Sequence, residues 1–375
     1  MPQLSMLARR WRLFSAAALL GGLVACARAP ETPLILPAPQ THWAVHAGNP
    51  IVRAGDFIDK GLWADPSVLK VGEQYVMYMT SSTEEPFKPP ILTFRAVSDD
   101  GIRWRLEPKT PLMDASGTPF VSIETPSVIR YRGRYHLYYT GIHPAGKIPV
   151  MEIGHAVSDD GIRWTKTPRP VITSSGNVHE WTGYAVAEPG AIVYRDKVYL
   201  YFVALGARPG GGPPPQLQSI GLAISDDGQT FSEPRVVLRQ TARYPPEQGY
   251  PGYSTPSAVV DGDTIHLFYD VVHFDKNARP DWRQVALQNA VSTDGGLSFV
   301  EHQGPMLRRD DFDWTLDGEV SGPAALIDGD QMRVWYGGHV GYSRLAPMVQ
   351  RGWKGPEFGI GTMSTDLARL RAAPK

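Results

Sequence analysis

Short runs in which apolar and polar positions alternate recur along the chain, and five of them share one shape: "YVMYMT" at 75–80, "YHLYYT" at 135–140, "VYLYFV" at 198–203, "IHLFYD" at 265–270 and "MRVWYG" at 332–337. Aromatic and branched residues with a period of two predict strands that bury one face. Ahead of each run, across a turn such as "VGEQ", "YRGR" or "DGDT", lies a second apolar stretch opened by a proline: "ADPSVL", "ETPSVI", "EPGAIV", "TPSAVV" and "GPAALI". Two strands joined by a tight Gly- or Asp-bearing turn predict a hairpin, and the pattern predicts it five times. The prolines are Pro66, Pro126, Pro189, Pro256 and Pro323, so the unit repeats every 60 to 67 residues. Farther along each unit a short apolar strand meets "SDDG", "SDDG", "SDDG", "STDGG" or, last, "STDL", and the phrase "AVSDDGIRW" occurs twice, at 96–104 and 156–164. These phrases predict a turn between a third and a fourth strand.

Five four-stranded antiparallel units at this period predict an all-β, five-bladed β-propeller, which leaves few exposed sheet edges. Trp43, Trp104, Trp164, Phe231 and Phe299 open the fourth strands. Trp43 precedes the first unit, and "STDL" has only a short tail after it. The expectation is that residues 42–46 supply the missing outer strand of the fifth blade and close the ring.

The chain has 375 residues with 37 Lys and Arg against 38 Asp and Glu. A net charge of -1 with no basic run beyond the first dozen residues argues against a nucleic-acid partner. Arg9, Arg10 and Arg12 followed by apolar residues 13–24 read as a secretory signal too short to span a bilayer. Residues 1–25 are therefore expected to be a signal peptide. The "LVAC" that ends at Cys26, the single cysteine, resembles the lipobox of bacterial lipoproteins, which implies cleavage before Cys26 and lipid on it. The protein would then sit in the cell envelope, on the outer membrane or the periplasmic side, with the membrane as partner only through that anchor. Residues 26–41 carry four prolines and read as an extended tether, leaving 42–375 as the propeller domain.

Loops leaving the second strands are long and varied, whereas the "SDDG" turns are short and lie on the opposite face. Binding residues gather on such long loops, so Asp99, Asp100, Asp159, Asp160, Asp226 and Asp227 are expected to cap turns. Directly before the anchor prolines stand Asp65, Thr125, Glu188, Thr255 and Gly322. Asp65 and Glu188 would face each other across the funnel where the first strands converge. Paired carboxylates are the equipment of glycosidic bond cleavage, one protonating the leaving oxygen and the other activating water or attacking carbon.

With "WADP" in the first unit and "AEPG" in the third, the chain resembles the five-bladed propeller glycosidases of glycoside hydrolase families 43 and 32 over essentially all of the mature sequence. That resemblance implies Asp65 as general base and Glu188 as general acid, and it expects an acid in the second blade that tunes the general acid. Thr125 occupies that place, and Glu124 stands one residue early, which reverses facing in a regular strand. Lacking the family 32 phrases, the sequence is read as inverting, with a pentoside or furanoside as the preferred substrate. His339 in "WYGGH" resembles an axial histidine that helps hold an ion or water cluster in family 43; no cofactor and no metal-ligand cluster are otherwise predicted. Trp63, Trp181, Tyr184 and Tyr253 either stack on sugar rings or cork the spaces between blades. Asp270 and His273, and more weakly Asp317 and Glu319, are further funnel candidates. Two other functions fit the same scaffold: a noncatalytic glycan-binding lipoprotein, and a phosphorylase resembling glycoside hydrolase family 130.

Overall fold

The computed structural model describes residues 34, 36–58, 61–81, 90–276, 281–341 and 358–375. The predicted lipidation site, Cys26, and the signal segment lie outside them. After the two-residue β1 (Ala44–Val45), the first unit comprises β2 (Ala64–Val71), β3 (Gln74–Ser81), β4 (Leu92–Ser98) and β5 (Arg105–Leu106). The second holds β6 (Ser122–Tyr131), β7 (Arg134–Ile142), β8 (Met151–Ser158) and β9 (Thr165–Lys166). The third holds β10 (Ala185–Tyr194), β11 (Lys197–Ala207), β12 (Gln216–Ser225) and β13 (Arg235–Leu238). In the fourth, β14 (Gly252–Asp261), β15 (Thr264–Phe274) and β16 (Trp282–Ser292) are edged by β17 (Val300–Glu301) and β18 (Leu307–Arg308). The fifth has β19 (Glu319–Asp328), β20 (Gln331–His339) and β21 (Gly359–Asp366), followed by helix α1 (Leu367–Ala372) where the other units place a fourth strand.

That place is taken from the other end of the chain. β1 pairs antiparallel with β21, Ala44 opposite Ser364 and Val45 opposite Met363, so the order is β1-β21-β20-β19. Trp43 is buried beside this seam, its ring edge-on to Phe268, and its indole N–H donates to Gln40 Oε1 at 3.1 Å. The packed body begins earlier than the proline-rich reading expects. Leu36 is buried in the core between the third and fourth units, and Gln40 is tied to Pro305 O, Asn289 Oδ1 and Gly304 O. An apolar Leu among the prolines had a surface to cover, so residues 36–41 belong to the body and not to a free tether.

The repeated turns close as local hydrogen bonding dictates, with a division of labour between the two aspartates. The second one accepts two backbone N–H groups: Asp100 from Ile102 and Arg103, Asp160 from Ile162 and Arg163, Asp227 from Gln229 and Thr230. Bonds of this kind favour the charged form, and all three carboxyls are held down at about 2. The first aspartate does not cap; Asp159 pairs with Arg134 and Asp226 with Lys197 at the surface.

The five first strands contact one another in cyclic order, β2 with β6, β6 with β10, β10 with β14, β14 with β19 and β19 with β2. A narrow cavity between them is lined by the proline phrases of all five units. Serines fasten neighbours together there: Ser67 Oγ accepts the Val128 N–H, Ser127 Oγ that of Ala191, and Ser257 Oγ that of Ala325, at 2.9 to 3.1 Å.

Candidate functional site

Each first strand carries the same distortion where it meets the axis. The pairing slips between Ala64 and Ser67, Glu124 and Ser127, Ala187 and Gly190, Ser254 and Ser257, and Ser321 and Ala324. The residue before each proline turns left-handed, with φ of 50° at Asp65, 49° at Thr125, 54° at Glu188, 44° at Thr255 and 59° at Gly322. Only Gly adopts this conformation without strain, and the following proline narrows the choice further. Such a bulge re-aims one side chain, here toward the axis, and releases its backbone N–H from the ladder. The side chains of neighbouring strands take up the freed donors. Thr80 Oγ1 accepts from Thr125 N at 2.9 Å, Thr140 Oγ1 from Glu188 N at 2.7 Å, Glu188 Oε2 from Thr255 N at 2.9 Å, and Asp270 Oδ1 from Gly322 N at 3.1 Å.

Three acids from three consecutive units meet at this end of the axis, each partly buried. Burial pushes the Asp65 carboxyl up to about 6, against a hydrogen bond from Thr80 that favours its charge. Burial also raises Glu188, to about 7; the Thr255 N–H opposes the rise and the neighbouring Asp65 charge adds to it. Glu124 is pushed highest, to about 8, by burial and then by the charges of Asp65 and Glu188. The bulge does not bring Glu124 into register with Asp65, because Thr125 takes that place and Glu124 matches Ala64, Ala187, Ser254 and Ser321. It lies near enough to both other acids for their charges to raise it. Asp65 is the most acidic of the three displaced carboxyls.

Four of the substrate-binding candidates, Trp63, Tyr184, Tyr253 and Asp270, are buried. The rings of Trp63 and Tyr253 are wholly enclosed, Trp63 against Phe57 and Phe94 and Tyr253 against Tyr244 and Tyr269, so neither offers a face to a sugar. Trp181 stacks on Phe202 above Gly221, where a Cβ would come within 2.8 Å of the indole; it is a wedge between strands, as is the buried Tyr184. Asp270 is also fully enclosed, and its oxygens are occupied by the Ser254 and Thr255 hydroxyls and the Gly322 N–H. It fastens the fourth unit to the fifth and is not available to substrate. His273 lies at the end of β15 against the Tyr250 ring, its Nε2 3.3 Å from Gln248 O. His339 is buried between Phe358 and Glu319, with Nε2 3.3 Å from Glu319 Oε2 and Nδ1 2.6 Å from Val340 O. Among the described residues no three His, Cys, Asp or Glu side chains are grouped to hold a metal ion.

Sequence reasoning missed Thr80, which bonds to Asp65 in its own unit and accepts the Thr125 N–H of the next, and Thr140, which accepts the Glu188 N–H of the next unit. Their signal was present, since "YVMYMT" and "YHLYYT" both end on threonine where an apolar residue would continue the strand.

No family model and no curated protein sequence matches the chain. Solved structures do. A thermostable family-43 glycoside hydrolase superposes with a TM-score of 0.60 at 16% identity, covering 82% of this chain and 91% of that one. A structure described under the GH130 family of mannoside phosphorylases, which contains glycoside hydrolases that target beta-1,2 mannosidic linkages in Candida mannan, gives 0.60 at 14% identity over 88% and 94%. The GH43_1 enzyme from Xanthomonas citri, complexed with xylotriose, gives 0.54 at 13% identity over 82% and 87%. The chain therefore shares the all-β fold of these glycoside-processing enzymes.

Proposed function

We propose that the protein is a glycoside hydrolase on a five-bladed propeller, with Asp65 as general base, Glu188 as general acid and Glu124 as the acid that tunes them. The observation that carries this reading is the convergence of three carboxyls with staggered proton affinities at one end of the axis. A general acid working near neutrality must hold its proton while its partner gives one up. The order Asp65 below Glu188 below Glu124 supplies that division, with Asp65 ionising first. The roles then follow: Asp65 takes a proton from the attacking water, Glu188 gives one to the departing oxygen, and Glu124, neutral near pH 7, leaves Asp65 as the neighbouring charge that helps Glu188 keep its proton. The preference for inversion and for a pentoside or furanoside belongs to the same reading, as does a mature chain held in the cell envelope by lipid on Cys26.

The test uses purified mature protein with aryl glycosides and polysaccharides. Asp65→Asn abolishes turnover of every substrate. Glu188→Gln abolishes cleavage of natural glycans yet spares in part an aryl glycoside whose leaving group departs without a proton. If Glu188→Gln loses both substrates equally, or neither, Glu188 is not the acid; if neither variant binds or cleaves less than wild type, the site lies elsewhere.

A further inference from the structure

The hydrogen-bonded ring around the axis is broken at one place, and the break lies beside the base. The second strands end their aromatic runs at Thr80, Thr140, Val203, Asp270 and Gly337, which pair with or stand next to the partners of equivalent first-strand positions. Thr80, Thr140 and Asp270 accept the freed N–H of the next unit, and where Val203 has no acceptor Glu188 supplies one to Thr255. Gly337 should serve Asp65 in the same way, but it has no side chain. A Cβ built on Gly337 would stand 3.9 Å from Asp65 N and 3.4 Å from Ser321 O and Oγ, with nothing nearer. A side chain would fit, and its absence leaves a gap.

A second group points into that gap. Ser321 is nine-tenths buried, and its Oγ stands 3.4 Å from where the Gly337 Cβ would be. A released backbone N–H costs roughly 1–3 kcal/mol if it is buried without a partner, so a gap lined by that donor and a hydroxyl is built to be filled by an oxygen. Gly322 lines the same space from the axis, 3.3 Å from Asp65 Oδ1 where its Cβ would be.

We propose that the gap at Gly337 is a binding site for one neutral oxygen ligand, a water or a sugar hydroxyl, held by the Asp65 N–H and Ser321 Oγ next to the Asp65 carboxylate. The inference deepens the glycosidase reading and rests on it for its role: an N–H aimed at the oxygen that Asp65 deprotonates would stabilise the charge that develops there. Its existence as a site does not depend on that role.

The deciding experiment is a high-resolution crystal structure of the wild type, alone and soaked with xylose and mannose, beside Gly337→Ser and Gly337→Ala. An ordered oxygen within hydrogen-bond distance of Asp65 N in the wild type, expelled in Gly337→Ser where the new hydroxyl takes its place, upholds the site. Retention of that oxygen in the sugar complexes assigns it to water, and replacement assigns it to a sugar hydroxyl. An Asp65 N–H bonded to a protein acceptor, or an empty gap, overturns it. In kinetics, Gly337→Ser is expected to lower kcat/KM at least tenfold while keeping or raising Tm, since it restores the bond found in the other units. A stabilised Gly337→Ser with kcat/KM within twofold of wild type overturns the catalytic role. Absence of glycoside turnover by the wild type itself would count against the glycosidase reading and leave the crystallographic result to decide the site.

Discussion

Glu124, Glu188 and Asp65 each bind a proton more tightly in the folded protein than their ordinary values of 4.5, 4.5 and 3.8 allow. An acid whose affinity for a proton rises on folding stabilises the fold below its unfolded value and loses that contribution as pH climbs through the folded one. For Glu124 the loss runs from about 4.5 to about 8. Buried histidines pull the other way: His155, pushed down to about 3, and His302, to about 4, by burial, cost stability as pH falls below 6.5. Comparing two proteins isolates the acid. Glu124→Gln keeps the shape of the neutral side chain and removes its titration, so the fall in Tm between about pH 5 and about pH 8.5 should be smaller in this variant than in wild type. An equal fall in both, measured by thermal unfolding, would mean that Glu124 is not the buried proton-binding group described above.

Among the elements, the two-residue β1 shows how little hydrogen bonding a strand needs when a neighbouring side chain anchors it. Trp43 packs with Leu307, Val320, Met363 and Leu367 at the seam of the fourth and fifth units. Removing a buried large aromatic typically costs about 3–5 kcal/mol, and here it also frees the edge of β21. Trp43→Ala should therefore lower the urea midpoint, and the variant should self-associate at concentrations where wild type stays monomeric. Unchanged unfolding would show that β1 adds nothing to the sheet. This seam was legible because Trp43 repeats a phrase seen four more times, and the hairpins were legible because their turns and aromatic alternation are local. The bulges were not. No local pattern says that two residues drop out of register before Ser67, Ser127, Gly190, Ser257 and Ala324, and so Glu124 could be placed near the site only as an uncertainty of one residue. Burial was equally hidden: Trp63, Tyr253 and Asp270 read as funnel residues because sequence fixes which face a strand residue takes, not what packs over it.

At the scale of the molecule, the units are joined through a ring of side-chain bonds near the axis and through the N-terminal segment that lies along the third and fourth. If Cys26 carries lipid, the ten residues from there to the buried Leu36, at no more than about 3.6 Å each, let the body stand at most about 36 Å from the membrane surface. Intact-mass measurement of the membrane fraction should find acyl mass on the wild type and none on Cys26→Ala, which should be soluble. Recovery of unlipidated wild type from the soluble fraction would refute the anchor.

The pairing of β1 with β21 joins positions at opposite ends of the chain; the Asn49 side chain alone bonds to Thr362 across 313 residues. Contacts of such long range form late, because the intervening chain must be ordered first. Synthesis sharpens the point: β1 leaves the ribosome well before β21, so a nascent chain can fold its early hairpins but cannot complete the fifth sheet until β21 has been made. A chain stopped anywhere before residue 359 holds an N-terminal strand without a partner, which makes the synthesis of β21 the checkpoint for a closed fifth sheet.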